Sequence, residues 1–380
     1  MIVSKNINLI EKSFQPILIL LHITGLESLP HNRFSEKNCY RNFVLKSLQY
    51  LFRILQSVAV ISRIISSTLL FDNKLHMVLF ILALLQIIVN LQTRKSRKQI
   101  YLVLKTLRTC TQKLHCFQEG RKFQTSIFAY FVITFGLCFV YIISYFYSSE
   151  GQVFKKHIML SQYASQEVKQ FFIFVPEILM ITTPLLSALL FISLTGYYGF
   201  VCFYAKFLFN RIEEKIKDLR KDCSCMSIIH TYVELTTVLE SLDEFFSFSA
   251  FIIVLSSLAG LFYVNFGIHL NCVADVLHFL AAEIWFSIFV CMVILPASTA
   301  NSALLDAKEA IYSLPGKVPQ HYYDLEVLIR SDCMRDVSLT LWKIYKIDQS
   351  LILSALGTLM TYGMLLATMG NAVKSNPPQA

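Results

Sequence analysis

Residues 277–299 read LHFLAAEIWFSIFVCMVILPAST, and this stretch decides the class of fold. Only one of its residues, Glu283, carries a charge. An α-helix of this length extends about 34 Å, which is enough to cross a bilayer core of about 30 Å. The sequence therefore predicts that this segment spans a membrane.

Six other stretches have the same apolar character. The seven predicted spans are residues 48–71, 75–91, 126–147, 171–207, 245–267, 277–299 and 351–369. The composition agrees, because 55% of the chain is hydrophobic and 16% is charged, whereas soluble domains carry about 25% charge. We therefore expect an all-α, polytopic membrane protein. Because no internal repeat is visible, an inverted-repeat transporter lacks support.

The Lys and Arg residues lie mostly on one side of these spans. The N-terminal segment and loops 93–122, 208–244 and 300–350 hold 25 of them, against five in the opposite loops and the C-terminal tail. The positive-inside rule then predicts a cytosolic N-terminus and, after seven crossings, an extracellular C-terminus. A G-protein-coupled receptor has the opposite orientation. Loop placement of the basic residues also argues against a nucleic-acid partner for the net charge of +9.

Several predicted helices extend beyond the spans. The fourth span continues in a helical pattern to residue 220, the fifth begins near Ile228, and an amphipathic helix is predicted over residues 323–345. We expect these extensions to form a helical bundle on the cytosolic side, with loosely ordered loop as the alternative. The N-terminal segment is predicted to be an amphipathic helix on the membrane surface.

These predictions divide the chain into five parts. They are an N-terminal amphipathic segment (1–47), spans one to six with an outward ligand pocket (48–300), cytosolic anchor helices (301–350), the seventh span (351–370) and an extracellular tail (371–380).

Motifs of enzyme chemistry are missing from the sequence. There is no Gly-rich phosphate loop, His-Glu-x-x-His or nucleophile elbow, so we expect neither an enzyme nor a bound cofactor. Cys223 and Cys225 are too closely spaced for a Cys-x-x-Cys zinc site. Polar groups inside the spans remain, and they are costly in lipid. The candidates for a ligand pocket are Arg63, Tyr141, Glu177, Tyr263, Glu283 and Trp285.

Each of these candidates also has a structural interpretation. Arg63 with Glu177 or Glu283 forms a plausible buried ion pair, which would only fix the register of the helices. The aromatic residues alone belong more often to an interfacial belt or to the core than to a ligand site.

The seventh span carries a stripe of hydroxyl groups. Ser354, Thr358, Thr361, Leu365 and Thr368 recur at spacings of four and three residues, so they lie within about 80° of one another on one helix face. The stripe has two interpretations. It allows close helix packing through small residues, or it lines a water-filled pore. The residues alone favour packing.

The end of this span resembles a known signature. Residues 361–369 read TYGMLLATM, and arthropod gustatory receptors have Thr-Tyr, five mostly apolar residues, then Gln-Phe. Thr361 and Tyr362 match, whereas Thr368 and Met369 stand where the family has Gln and Phe. Phe14-Gln15-Pro16 near the N-terminus also resembles the start of these receptors. The ending looks closer to a divergent, arachnid branch than to insect sugar receptors.

The resemblance implies a receptor of the plasma membrane that acts as a ligand-gated, weakly selective cation channel opened by a small tastant. It implies a tetramer, either a homomer or a heteromer with other gustatory receptor subunits, embedded in the lipid bilayer. The seventh spans would line the pore, ligand would bind in the outer halves of the other spans, and the cytosolic ends of spans four to seven would pack as an anchor. These implications favour the pore interpretation of the hydroxyl stripe, while Thr368 and Met369 bear on the outer gate.

Overall fold

The structure is a computed structural model. It describes residues 9–25, 39–69, 84–85, 87–89, 91–92, 97–114, 116, 120–147, 166–218, 225–270, 276–317, 322–333, 335–351, 353–355, 357–358 and 361. The fold is almost entirely helical. The helices are α1 (Leu9–Ile23), α2 (Cys39–Leu69), α3 (Arg97–Leu114), α4 (Gly120–Tyr147), α5 (Gln166–Lys217), α6 (Cys225–Leu270), α7 (Val276–Tyr312), α8 (Leu314–Lys317) and α9 (Tyr322–Asp332). Two short strands follow, β1 (Thr340–Leu341) and β2 (Tyr345–Lys346).

The apolar spans of the sequence become long helices. Within the described part of the chain, four helical segments are long and apolar enough to cross a membrane, and they belong to α4, α5, α6 and α7. Helices α4, α5, α6 and α7 contain the predicted spans 126–147, 171–207, 245–267 and 277–299, respectively. The prediction of a helical fold with several membrane-length apolar helices is thereby confirmed. The other three predicted spans lie partly or largely outside the described residues, so their number and the orientation of the termini stay predictions.

Helices α5 and α6 extend far beyond a bilayer. Helix α5 has 52 residues, which is about 78 Å at 1.5 Å per residue, and α6 has 46. Their extensions pack together at the end of the bundle where α5 ends and α6 begins, which we call the base. There the rings of Phe209 and Tyr232 meet edge to face with centroids 5.9 Å apart, and Leu325 and Ile329 of α9 complete the buried core.

Close contacts between helices α5, α6 and α7 occur at glycines. A Cβ atom on Gly199 of α5 would lie 2.7 Å from the carbonyl oxygen of Met292 in α7. On Gly260 of α6 it would lie 2.6 Å from the ring of Phe286. Small residues let helix backbones approach closely within a membrane, where van der Waals packing replaces the hydrophobic driving force.

Helix α1 differs from its prediction. It is amphipathic, but its apolar face is covered by protein rather than lipid, since Phe14, Ile17 and Leu21 are fully buried. The ring of Phe14 lies 5.3 Å from that of Phe123 in α4 and 6.4 Å from that of Tyr204 in α5. These aromatic side chains provide an apolar surface that the sequence pattern of α1 cannot distinguish from lipid.

The prediction of one helix over residues 323–345 is wrong beyond Asp332. Helix α9 ends there, and the chain forms an antiparallel hairpin in which Thr340 pairs with Lys346 and Leu341 with Tyr345. We call residues 339–347 the hairpin. Its turn places Trp342 and Lys343 in the left-handed region, with φ of 52° and 56°. This is the conformation of a type I′ turn, and it costs roughly 1–3 kcal/mol for each residue that is not glycine.

Candidate functional site

Two of the predicted pocket residues meet where α6 ends and α7 begins, at the end of the bundle opposite the base. Tyr141 of α4 and Tyr263 of α6 pack around a small buried cluster of Val264, Phe279 and Ala282. Helix α4 contributes Tyr141 to this group, α6 contributes Tyr263 and Val264, and α7 contributes Phe279 and Ala282. We call this group the aromatic cluster.

A histidine that the sequence analysis missed belongs to the same place. His278 of α7 is buried and stacks on the ring of Tyr141, with centroids 5.0 Å apart and an interplanar angle of 23°. Its Nδ1 lies 3.2 Å from the Oγ atom of Ser144. The Ser144 hydroxyl lies 2.9 Å from the Tyr141 carbonyl, to which it donates, and the tautomer of His278 that carries its proton on Nδ1 complements this arrangement. The signal in the sequence was a polar group inside an apolar span, the criterion that selected Glu283.

The remaining predicted pocket residues do not join this cluster. Trp285 is buried in the main core, where its ring meets that of Phe289 edge to face at 4.6 Å. Glu283 is partly exposed and makes no hydrogen bond or ion pair with any residue that the structure describes. The side chains of Arg63 and Glu177 lie outside the described residues, so their pairing stays a prediction.

A second polar contact joins α4 to α5 deep in the apolar part of the bundle. The Tyr130 hydroxyl lies 2.7 Å from Oγ1 of Thr195 and donates to the carbonyl of Ile192 at 3.2 Å. Thr195 in turn donates to the carbonyl of Phe191. The ring of Tyr130 packs against Gly196, where an added Cβ would lie 3.0 Å from the ring. Both hydroxyls have partners, so this contact fixes helix register and leaves no polar group open to a ligand.

The seventh span begins with a defined helix cap. Asp348 accepts hydrogen bonds from the Ser350 hydroxyl at 2.7 Å and from the backbone N–H of Leu351 at 3.0 Å, which is the arrangement of an N-cap. These two bonds hold the pKa of the Asp348 carboxyl below its usual value. The described residues from Ser350 to Thr361 that follow are helical.

The described part of the hydroxyl stripe is exposed, as are Leu353 and Gly357 on other faces of the same helix. Ser354, Thr358 and Thr361 are exposed. The Thr358 hydroxyl donates to the carbonyl of Ser354 and the Thr361 hydroxyl to that of Gly357, each at 2.8 Å. Each of these two hydroxyls thus has its hydrogen satisfied inside the helix and keeps lone pairs that can accept a hydrogen bond. The other residues of the stripe and motif, Tyr362, Leu365, Thr368 and Met369, lie outside the described residues.

Nothing in the described part of the chain suggests a metal centre. No group of three or more His, Cys, Asp or Glu side chains lies close enough to hold a metal ion among the residues between 9 and 361 that the structure places.

The architecture is the fold of a solved insect olfactory receptor. The solved structure of the olfactory receptor OR5 from Machilis hrabei superposes with a TM-score of 0.69, covering 94% of this chain and 97% of that one at 12% identity. The same receptor in complex with eugenol gives a TM-score of 0.65 over 95% and 98% at 14% identity. At such identities the likeness concerns the fold alone.

The family follows from the sequence profile. The profile of the Trehalose receptor family, which comprises insect gustatory receptors, matches residues 14–376. The chain belongs to this family, and the resemblance to gustatory receptors is confirmed. No curated protein sequence has a significant match to the chain. The family and the structural relatives are membrane receptors and not enzymes.

Proposed function

We propose that the chain is a gustatory receptor of the plasma membrane that works as a ligand-gated, weakly selective cation channel opened by a small tastant. The observation that carries this proposal is the exposed stripe of Ser354, Thr358 and Thr361, in which Thr358 and Thr361 donate within the helix and keep oxygen lone pairs that can accept. Acceptor oxygens suit a hydrated cation, and they bind it weakly enough for it to leave. Membership of a receptor family supports the same conclusion.

The pore requires more than one copy of the chain. One helix with hydroxyls on a single face leaves that face against lipid, whereas four copies turn the face toward a common axis and keep it in water. We therefore propose a tetramer of this chain, or of this chain with other gustatory receptor subunits. Leu365 is proposed as the apolar constriction, and Thr368 and Met369 as the outer end of the pore.

The aromatic cluster is the proposed ligand site. Tyr141, Tyr263 and His278 combine apolar surface with a few hydrogen-bonding groups, as small-molecule sites usually do. Arg63, Glu177, Glu283 and Trp285 remain proposed neighbours of the ligand. The compounds named with its relatives, trehalose and eugenol, are the first probes to apply.

Recording of membrane current tests the channel without requiring a known agonist. Leu365→Ser widens and hydrates the constriction, so cells that express it should carry a cation leak that cells expressing the native chain lack. Surface biotinylation must give equal amounts of the two proteins. If Leu365→Ser reaches the surface and carries no current, the channel proposal is wrong.

Cysteine scanning in the leaky background then tests the pore face. A water-borne thiol reagent should block current with cysteine at positions 354, 358, 361 or 368, and spare it at 356, 359 and 366. Position 365 is already occupied by the serine that makes the channel leak. Blocked positions on the opposite face would make the stripe a packing surface.

Epitope tags on the two termini of the protein report its orientation when antibody is applied to intact cells. Only the C-terminal tag should bind antibody.

A further inference from the structure

The hairpin directly precedes the proposed pore helix. It ends at Ile347, the next residue is the cap Asp348, and the helical residues of the seventh span follow. There is no flexible linker between hairpin and helix, so any displacement of the hairpin must displace the start of the seventh span.

One buried side chain of α7 holds both ends of the hairpin. Asn301 donates from Nδ2 to the carbonyls of Leu339 at 3.1 Å and Ile347 at 2.9 Å, and its Oδ1 accepts from the N–H of Leu339 at 2.8 Å. The N–H of Ile347 also donates to the Leu339 carbonyl at 3.1 Å. Asn301 therefore acts as a bracket that joins two strand ends to the end of a membrane helix.

A second set of contacts holds the hairpin to α6. Asp243 accepts hydrogen bonds from the N–H of Thr340 at 2.6 Å and from its hydroxyl at 2.8 Å. The N–H of Trp342 donates to the carbonyl of Ser247 at 3.1 Å. The Trp342 ring packs on Phe248 and on a second phenylalanine one turn further along α6. These contacts hold Trp342 in its left-handed conformation.

The same two helices carry residues of the aromatic cluster at their other ends. Asp243 and Tyr263 lie about 30 Å apart along α6, and Asn301 and His278 lie about 34 Å apart along α7, at 1.5 Å per residue. Each helix is continuous between the two sites, with Pro296 inside α7, so it provides a direct mechanical connection between the cluster and the hairpin.

We propose that the hairpin couples α6 and α7 to the gate in the seventh span, and that Asn301 and Asp243 are positioning residues for that gate. The inference rests on the proposed channel function. In the resting protein the two helices hold the seventh span closed through these contacts, and their movement releases it. Loosening the hairpin then separates the pore from the helices that control it.

Single-channel recording in the Leu365→Ser background tests the coupling. Asn301→Leu removes the three hydrogen bonds of the bracket, and Thr340→Val removes only the hydroxyl bond to Asp243. Thr340→Val should raise the open probability by about fivefold, the equivalent of one net hydrogen bond, and Asn301→Leu should raise it further. Lys343→Gly removes the strain of a left-handed residue other than glycine, so it should stabilise the hairpin and lower the open probability. Thr340→Ser, which keeps the hydroxyl, should return the open probability toward that of the parent.

Ser302→Ala is the matched control, because Ser302 adjoins Asn301, is exposed, and makes no hydrogen bond with any described residue. It should leave the open probability unchanged. A merely structural hairpin would alter the number of channels at the surface and not the open probability of each. Equal open probabilities across Asn301→Leu, Thr340→Val and Ser302→Ala, at equal unitary conductance, overturn the coupling.

Hydrogen exchange separates this inference from the channel proposal. If Leu365→Ser carries no current, the channel is lost, but the purified full chain still reports on the hairpin. Amides of residues 351–355 should exchange about tenfold faster in Asn301→Leu than in Ser302→Ala. Equal exchange in the two variants shows that the hairpin does not position the seventh span.

Discussion

Substituting Gly199 by alanine should destabilise the bundle through a collision with backbone. The new Cβ would lie 2.7 Å from the carbonyl oxygen of Met292, whereas ordinary contacts begin at 3.4 Å. Helices α5 and α7 must therefore separate locally by about 0.7 Å, the difference between these distances. Overpacking of this kind costs about 1–3 kcal/mol, and a backbone obstacle places Gly199→Ala near the upper value. Alanine recovers about 1 kcal/mol of helix propensity, so the net loss is about 2 kcal/mol.

Two other helical glycines supply the controls. Around Gly136 of α4 no atom lies within 4 Å of an added Cβ, so Gly136→Ala should gain up to about 1 kcal/mol. At Gly260 the obstacle is the far end of the Phe286 ring, which can rotate, so Gly260→Ala should fall between the two. From the most to the least stable, the expected order is Gly136→Ala, Gly260→Ala, Gly199→Ala.

The assay is thermal unfolding in detergent, followed by the monodisperse fraction of the fluorescently tagged protein. About 3 kcal/mol separates Gly136→Ala from Gly199→Ala, which corresponds to about 4 °C in apparent Tm for a chain of this size. Equal apparent Tm values for the two variants would falsify the close contact between α5 and α7.

Three smaller perturbations test other contacts. Tyr130→Phe should lower the free energy of unfolding by about 1 kcal/mol in the same assay, because Thr195 keeps its bond to Phe191 and no buried donor is stranded; a loss above about 3 kcal/mol would contradict this. Burial raises the pKa of the Cys110 thiol to about 12, so at pH 8 about one thiol in ten thousand is ionised. Alkylation of Cys110 should therefore stay undetectable by mass spectrometry until the protein unfolds, and rapid labelling of the folded protein would refute this. Lys113→Ala should shift the apparent Tm by less than about 1 °C, because its 2.6 Å ion pair joins two partly exposed side chains.

The helices that cross the membrane could be predicted because their signal is local. A run such as 277–299 needs no knowledge of the rest of the chain, since lipid forces every backbone group into internal hydrogen bonds. The extensions of α5 and α6 were also predictable, because apolar residues recur at helical spacing beyond the spans. Ile212 and Ile216 of α5 are buried at the base, as that spacing requires.

The hairpin could not be predicted because its signal is not local. Residues 333–347 mix charged and aliphatic residues in a pattern that a helix would also accept. The structure is decided elsewhere in the sequence, since Asn301 and Asp243 bind N–H groups that a helix would have paired with its own carbonyls. Hydrogen bonds from Asn301, 38 residues away, thus outweigh the local preference for a helix. The hairpin that they stabilise requires Trp342 and Lys343 to adopt the strained left-handed conformation.

The candidate site shows the same limit at the level of single residues. The polarity of Tyr141 and Glu283 inside apolar spans marked them equally, yet the rotation of each helix separates them, since Tyr141 turns toward His278 while Glu283 stays partly exposed. The pairing of His278 with Ser144 joins residues 134 positions apart, and only the register of α4 against α7 creates it.

The hydroxyl stripe differs because its residues share one short helix. Its spacing alone places Ser354, Thr358 and Thr361 on one face. What the spacing lacks is the surroundings of that face, and within one chain the described hydroxyls meet no other helix closely enough to be buried. The exposure of these hydroxyls in one chain shows that they are not packed against its other described helices. Contact with further copies, either as a packing surface or as a pore lining, is what the cysteine scan proposed above distinguishes.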